Sequence, residues 1–204
     1  MNEPNKILAP LGGLALDLLA MIRNRPFVPH SLTKLRNIVF CGKVTGADTV
    51  IEIGSYKGVT ARRLSKRFRR VVSIEIAPDL HEQAKQTCKG CSNVQLLLGD
   101  GTVLLPQVAA AEKNAVLFLD GHFSGGETGL GDEPEPVLKE LDLILPYLDS
   151  FRAVVVDDFR LFGVEDGWPA KSVVLAKLEW VLPSPFWTHY ILNDQYVCIR
   201  SDRA

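Results

Sequence analysis

Net charge is nearly absent from this chain: 23 Lys and Arg stand against 24 Asp and Glu, a formal −1. A balance so close to zero gives no general reason to expect nucleic acid as a partner. Cysteine is scarce, with four residues (Cys41, Cys88, Cys91 and Cys198). No secretory leader is read at the start, so reduced thiols and a cytoplasmic setting are expected. Aromatic residues make up 8%, and no stretch reads as a sugar-stacking platform or a catechol clamp. No apolar run is long enough for a transmembrane segment. Residues 7–22, ILAPLGGLALDLLAMI, are too short and are broken by Pro10, Gly12, Gly13 and Asp17. They read as a helix packed on the domain or lending a homodimer contact. A membrane-surface helix is disfavoured, because the polar face lacks the Lys and Arg such helices carry. Internal repeats and low-complexity segments are missing as well.

What the chain does have is 204 residues at 47% hydrophobic content, enough for one full core. Past residue 47 the pattern alternates strand and helix. Short runs rich in Val, Ile and Leu at 48–53, 71–76, 94–98, 115–120 and 152–157 predict strands buried on both faces. Helical patterns near 58–69, 78–88, 101–112, 135–147 and 170–181 lie between or after them. This predicts an α/β fold, a doubly wound and mostly parallel sheet with helices on both faces. At the end, WTHYIL and QYVCIRS flank Asn193-Asp194, a tight polar turn that predicts an antiparallel hairpin. Residues 124–136, SGGETGLGDEPEP, are too rich in Gly and Pro for regular structure. Residues 1–47 are taken as an N-terminal helical segment covering the active site, and 48–204 as the catalytic domain.

The most informative stretch is DTVIEIGSYKG, residues 48–58. A buried strand ends at Gly54, and Gly58 opens a helix. Glycines in that turn let the backbone approach a ligand. Glu52, just before the turn, suits the positively charged end of a ligand and would sit poorly beside a diphosphate. Glu75, about twenty residues on, stands where an acid can bind both ribose hydroxyls; the alternative is an exposed strand-end carboxylate. Asp100 either bonds an adenine amino group or caps the following helix, and taken alone a cap is the default. The turn lacks the three-glycine dinucleotide fingerprint.

Strand four ends in Asp120-Gly121-His122 and strand five in Asp157-Asp158. Ligands bind at the carboxyl edge of an open parallel sheet, so these groups should converge there. Two carboxylates about 4–6 Å apart repel by roughly 3–4 kcal/mol at an effective dielectric near 20. A hard divalent cation would remove that repulsion. Both aspartates reach one cation only if the strand stops at Asp157 and the chain bends. The alternative is one capping Asp and one solvated. His122 could serve as general base; His30, His81 and His189 have no such context. Cys88-Lys89-Gly90-Cys91 is read as coincidental spacing. The basic run ARRLSKRFRR (61–70) is read as the solvated face of the first crossover helix, with contact to an acidic surface as the alternative.

With these residues in hand, the chain from about 48 to 200 resembles the class I S-adenosylmethionine-dependent methyltransferases. IEIGSYKG is similar to their first motif, which implies Glu52, Gly54, Ser55 and Gly58 around the cofactor. Glu75 matches the ribose-binding acid, Asp100 the acid near the adenine, and Asp120 also borders the cofactor. The closing hairpin is similar to the fold's antiparallel seventh strand. LDGHFS with VVVDDF resembles metal-dependent O-methyltransferases, which implies Asp157, Asp158 and Asp120 as ligands of Mg²⁺ or another divalent cation.

The expected function is therefore S-adenosylmethionine-dependent, metal-assisted O-methylation of a small hydroxylated metabolite, a sugar or natural product. The metal would lower the hydroxyl's pKa, and His122 or Asp120 would take the proton. Small-molecule acceptors are expected and nucleic acid is not. The alternatives are a metal-free N- or O-methyltransferase, a non-catalytic cofactor-binding protein of the same fold, and a nicotinamide dehydrogenase. The glycine pattern and the hairpin count against the last.

Overall fold

The computed structural model describes residues 8–23, 28–121 and 135–201. Helices α1 (Leu8–Ile22) and α2 (Ser31–Thr45) precede β1 (Thr49–Ile53), α3 (Val59–Leu64), β2 (Arg70–Glu75) and α4 (Pro78–Thr87). Then come β3 (Val94–Leu98), α5 (Gly101–Ala111), β4 (Ala115–Leu119) and α6 (Val137–Ile144). A 3-10 turn over Leu145–Ser150 leads to β5 (Phe151–Val156), α7 (Lys171–Val181), β6 (Trp187–Leu192) and β7 (Gln195–Arg200). The seven strands run in the order β3-β2-β1-β4-β5-β7-β6, with β7 antiparallel to β5 and β6. This is the expected doubly wound, Rossmann-like sheet with its closing hairpin. Asn193 and Asp194 both have positive φ, 53° and 63°, which matches the right-handed twist of the strands they join.

Burial explains the strand pattern. Every residue of β1 and β4 is buried, whereas edge strands β3 and β6 are only partly covered. Alternate residues feed two cores. Ile51, Ile53, Leu117, Leu119 and Val156 pack under the α5–α6–α7 layer. Val50, Val116, Phe118 and Val155 pack with Ile38 and Cys41 of α2 and Ala61 and Leu64 of α3. Each such side chain contributes roughly 1.5–3 kcal/mol on burial.

Helix α3 is shorter than its sequence pattern predicts. Asn93 Nδ2 donates to the Ser65 and Phe68 carbonyls at 2.8 and 2.9 Å, tying off the chain there. The Phe68 ring then packs on α2 at Gly42, where a Cβ would lie 2.5 Å from the ring. Asp17, which interrupts the first apolar run, is buried and accepts from His30 N at 2.7 Å and Thr33 Oγ1 at 2.6 Å. It thereby joins α1 to the start of α2. Among the described residues no helix is long and apolar enough to cross a membrane.

Candidate cofactor and acceptor site

The turn after β1 is built by close approach. Gly54 has φ +94°, and a Cβ there would lie 2.2 Å from the Asp120 carbonyl oxygen, because the end of β4 crosses it. Gly58 has φ +73°, and a Cβ would lie 2.8 Å from Ala84 Cα of α4. Both positions need glycine for conformation and for space. Gly54 N and Ser55 N donate to the Ile74 carbonyl at 2.9 and 3.0 Å. Glu75 braces the turn from β2: Oε2 accepts from Tyr56 N at 2.7 Å and Oε1 from Ala77 N at 2.9 Å. Each Glu75 oxygen retains lone-pair capacity for a further donor.

Glu52 lies beneath the turn, 1% exposed. Ser73 Oγ donates to its Oε2 and shares a hydrogen bond with Ser55 Oγ. Burial pushes the Glu52 carboxyl up to about 7, Ser73 opposes this, and Glu75 adds to it. Asp100 caps α5: Oδ1 accepts from Thr102 N at 2.7 Å and Thr102 Oγ1 at 2.9 Å. The cap expected for it alone is therefore present, and Oδ2 takes no part in it.

At the end of β5 the chain does bend. The strand stops at Val156 and Asp158 has φ +48°, so both aspartates turn to the same side. They meet Lys34, reaching over from α2. Its Nζ is 2.9 Å from Asp157 Oδ1, donates to Asp158 Oδ1, and lies 3.6 Å from Asp194 Oδ2. Arg160 NH1 donates to Asp158 and Asp194. Burial disfavours the Lys34 charge, but Asp157 and Asp158 outweigh it and hold its pKa above the ordinary lysine value. Burial raises Asp157, with Lys34 opposing and Asp158 reinforcing. Asp120 is raised well above the usual carboxylate range by burial, then by Asp157 and Asp158.

This arrangement does not fit a divalent cation. The metal role expected of Asp157, Asp158 and Asp120 meets a protein cation already seated against the pair. Among the described residues no group of three or more His, Cys, Asp or Glu side chains gathers as a metal would require. His122 and residues 124–134 of the insertion lie outside the described residues.

Two groups at this edge escaped the sequence reading. Lys34 is 124 residues from Asp158, and no local pattern links them. Glu140 of α6 is 1% exposed, and its Oε1 has no hydrogen-bond partner among the described residues. Cβ atoms built at Gly101 and Gly121 would lie 3.5 and 3.6 Å from that oxygen, so it sits under the rim between α5 and β4. Burial, Glu135 and Asp100 push its carboxyl up to about 8. His30 caps α2 by accepting from Leu32 N, and His189 packs against Tyr196.

A family model described as ribosomal RNA adenine dimethylase matches residues 30–112. That span runs from α2 through α5 and stops before β4. A ribosomal RNA small subunit methyltransferase A from Acaryochloris marina is 27% identical over 161 residues, 74% of this chain and 58% of that protein. Its namesake from Levilactobacillus brevis is 38% identical over 85 residues, 41% of this chain and 29% of that protein. The chain thus spans less than two thirds of the length of these relatives. Among solved structures, an O-methyltransferase from Bacillus cereus in complex with SAH aligns with TM-score 0.61 at 14% identity, covering 97% of this chain and 92% of that one. An O-methyltransferase of tomaymycin synthesis from Streptomyces achromogenes aligns with TM-score 0.59 at 15% identity, covering 98% and 91%. The fold is the methyltransferase fold, and the matches together support the class I S-adenosylmethionine-dependent group.

They also overturn one expectation. Relatives named for ribosomal RNA contradict the reading that a small molecule is the acceptor and nucleic acid is not. The charge argument failed because −1 is a cancelled sum. Residues 1–74 hold thirteen Lys and Arg against four Asp and Glu, and residues 75–204 hold ten against twenty.

Proposed function

We propose that this chain binds S-adenosylmethionine at the carboxyl edge of β1, β2 and β4 and methylates an adenine of RNA, with small-subunit ribosomal RNA the first acceptor to test. The family match over α2 to α5 carries the reading, because it spans the turn, the Glu75 brace and the Asp100 cap. S-adenosylmethionine, once bound, supplies a methyl group on a positively charged sulfur. Gly54, Ser55 and Gly58 would line its methionine end, with the Glu52 charge beneath. Glu75 would accept from the ribose hydroxyls and the second oxygen of Asp100 from the adenine amino group.

The acceptor amine of an adenine has a lone pair spread into its ring. A hydrogen-bond acceptor on its N–H localises that pair and later takes the proton. Asp120, at the end of β4 beside Gly54, is the candidate, and His122 the second. Burial, then Asp157 and Asp158, raise the Asp120 carboxyl above the ordinary carboxylate range, which makes it a stronger base than a free aspartate. Residues 1–47 would cover this edge, since Lys34 of α2 already reaches the aspartate pair. Lys34 and Arg160 hold the cluster of Asp157, Asp158 and Asp194, and no step here is routed through a metal. Four free cysteines fit a reducing cytoplasm.

The test is transfer from tritiated S-adenosylmethionine to purified small-subunit ribosomal RNA, followed by nuclease digestion and chromatography. Label in N6-methylated adenosine is expected. Cofactor binding without label in RNA would refute the acceptor, and absence of cofactor binding would refute the whole reading.

A further inference from the structure

We infer that the α2–α3 face of the sheet is a docking surface for RNA phosphates, leading to the carboxyl edge; this rests on the RNA reading above. Helices α2 and α3 contain no Asp or Glu. Between Asp17 and Glu75 the only acids are Asp48 and Glu52. Glu52 is buried, and Asp48 is held by Arg69 at 2.6 Å. Arg36 and Lys43 of α2, Arg62 of α3, and Lys66 and Arg67 just after it are exposed. No acid of their own segment neutralises these five cations.

The two helices form one face. Ile38 and Cys41 of α2 and Ala61 and Leu64 of α3 share one core over β1 and β4. Arg63 NH1 donates to Ser31 Oγ at 3.1 Å, linking the end of α3 to the start of α2. The opposite layer lacks this bias: α5 has no charged residue, α6 has one Lys with two acids, and α7 two Lys with one. Crowding Arg62, Arg63, Lys66 and Arg67 into six residues is mutually repulsive, though Arg63 is tied back to α2 through Ser31. An anionic partner turns that repulsion into attraction.

Position makes the partner an acceptor rather than a passing polyanion. Helix α3 starts at the cofactor turn, and α2 carries Lys34 to the aspartate pair. In the turn just before α3, Tyr56 is 46% exposed, with Lys57 Nζ 5.0 Å from its ring centroid. An exposed aromatic beside cations is a surface on which an unstacked base can rest. Phosphates held along α2–α3 would thus deliver a base to the edge of β4.

The test is binding of a fluorescein-labelled RNA hairpin by the full chain, followed by anisotropy from 50 to 300 mM KCl. The variants are Arg62→Gln/Lys66→Gln/Arg67→Gln and Arg36→Gln/Lys43→Gln. Each lost phosphate contact should reduce the slope of log Kd against log salt by about 0.7–0.9. The triple variant should lose about two to three units of slope and bind at least tenfold more weakly, with S-adenosylmethionine affinity unchanged. An unchanged slope in both variants, or no RNA binding by the wild type at 50 mM KCl, overturns the inference. Label transfer separates it from the acceptor reading. If the triple variant methylates ribosomal RNA with an unchanged KM, the docking face is wrong and the acceptor stands. If the wild type binds RNA through these residues but transfers no methyl to it, the face stands and the acceptor falls.

Discussion

Replacing Lys34 with Ala tests whether a lysine stands in the place where a metal was expected. The side chains of Lys34, Asp157 and Asp158 are 13%, 7% and 16% exposed. Removing one member of a buried ion pair costs about 3–5 kcal/mol. Part of that is recovered, because Arg160 still holds Asp158 and Asp157 can take up a proton. A net loss of about 2–3 kcal/mol at pH 7.5 follows, roughly 4–12 °C in Tm for a domain of this length. The penalty must depend on pH. Without Lys34 the already raised Asp157 rises further, so the folded variant binds a proton that the unfolded chain releases above the ordinary carboxylate range. Stability then falls as pH increases, and the deficit is larger at pH 8 than at pH 5. Urea denaturation at both values reads this out. Calorimetry with Mn²⁺ provides the second arm: the wild type should give no binding heat, while the variant, with Asp157 freed of its lysine and Asp158 held by Arg160, should gain a weak site. A wild type that binds Mn²⁺ at micromolar concentration and loses turnover with chelator would refute the argument. So would a variant within 0.5 kcal/mol of wild type at both pH values, by the usual scale of surface changes.

Two further expectations concern the turn and the rim. Glu140 keeps its proton in the folded state up to about pH 8, whereas an unfolded glutamate loses it near its ordinary value of about 4.3. The folded state therefore binds more protons between these values, and stability declines with rising pH by up to about 1.4 kcal/mol per unit. Glu140→Gln should gain on wild type from pH 5.5 to 8 in urea melts; parallel curves would remove the buried acid from the account. Gly54→Ala places a Cβ 2.2 Å from the Asp120 carbonyl at φ +94°. The left-handed backbone alone costs about 1–2 kcal/mol, and the overlap displaces β4, so calorimetry should find S-adenosylmethionine binding weakened at least a hundredfold. Wild-type affinity in that variant would mean that the turn is not built against β4.

The parts legible in the sequence are those set by local periodicity. Central strands, buried on both faces, read as unbroken apolar runs, and Asn193-Asp194 marked its hairpin. The Asp100 cap was legible because capping is a contact between near neighbours. Lys34 was not, since a lysine on an amphipathic helix reads as solvated until tertiary packing lays it over a strand end 124 residues away. Glu140 was hidden the same way: VLKELDLI reads as a helix with a polar stripe, and only the sheet beneath shows that one acid faces inward. The charge asymmetry is a different kind of miss. It was written in the sequence in full, and summing over the whole chain erased it.

The family match and the shape similarity cover different parts of the chain. The match covers residues 30–112, which hold the cofactor turn and the basic α2–α3 face but not the ends of β4 and β5. Shape similarity to O-methyltransferases spans nearly the whole chain at 14–15% identity, a level that speaks for backbone arrangement alone. Acceptor chemistry depends on the groups at the β4 and β5 ends, and there the structure departs from a metal-assisted design: a fixed ammonium from α2 is seated against the aspartate pair. A bare pair of carboxylates would repel an incoming phosphate backbone; Lys34 and Arg160, set against Asp157, Asp158 and Asp194, reduce that repulsion. Partly offsetting the charge of this edge and concentrating cations on the adjoining face act in the same direction, which under the proposed RNA reading would let a substrate bearing many phosphates approach β4. Loss of Lys34 should accordingly weaken RNA binding as well as the fold, and the Lys34→Ala protein offers that comparison at low salt.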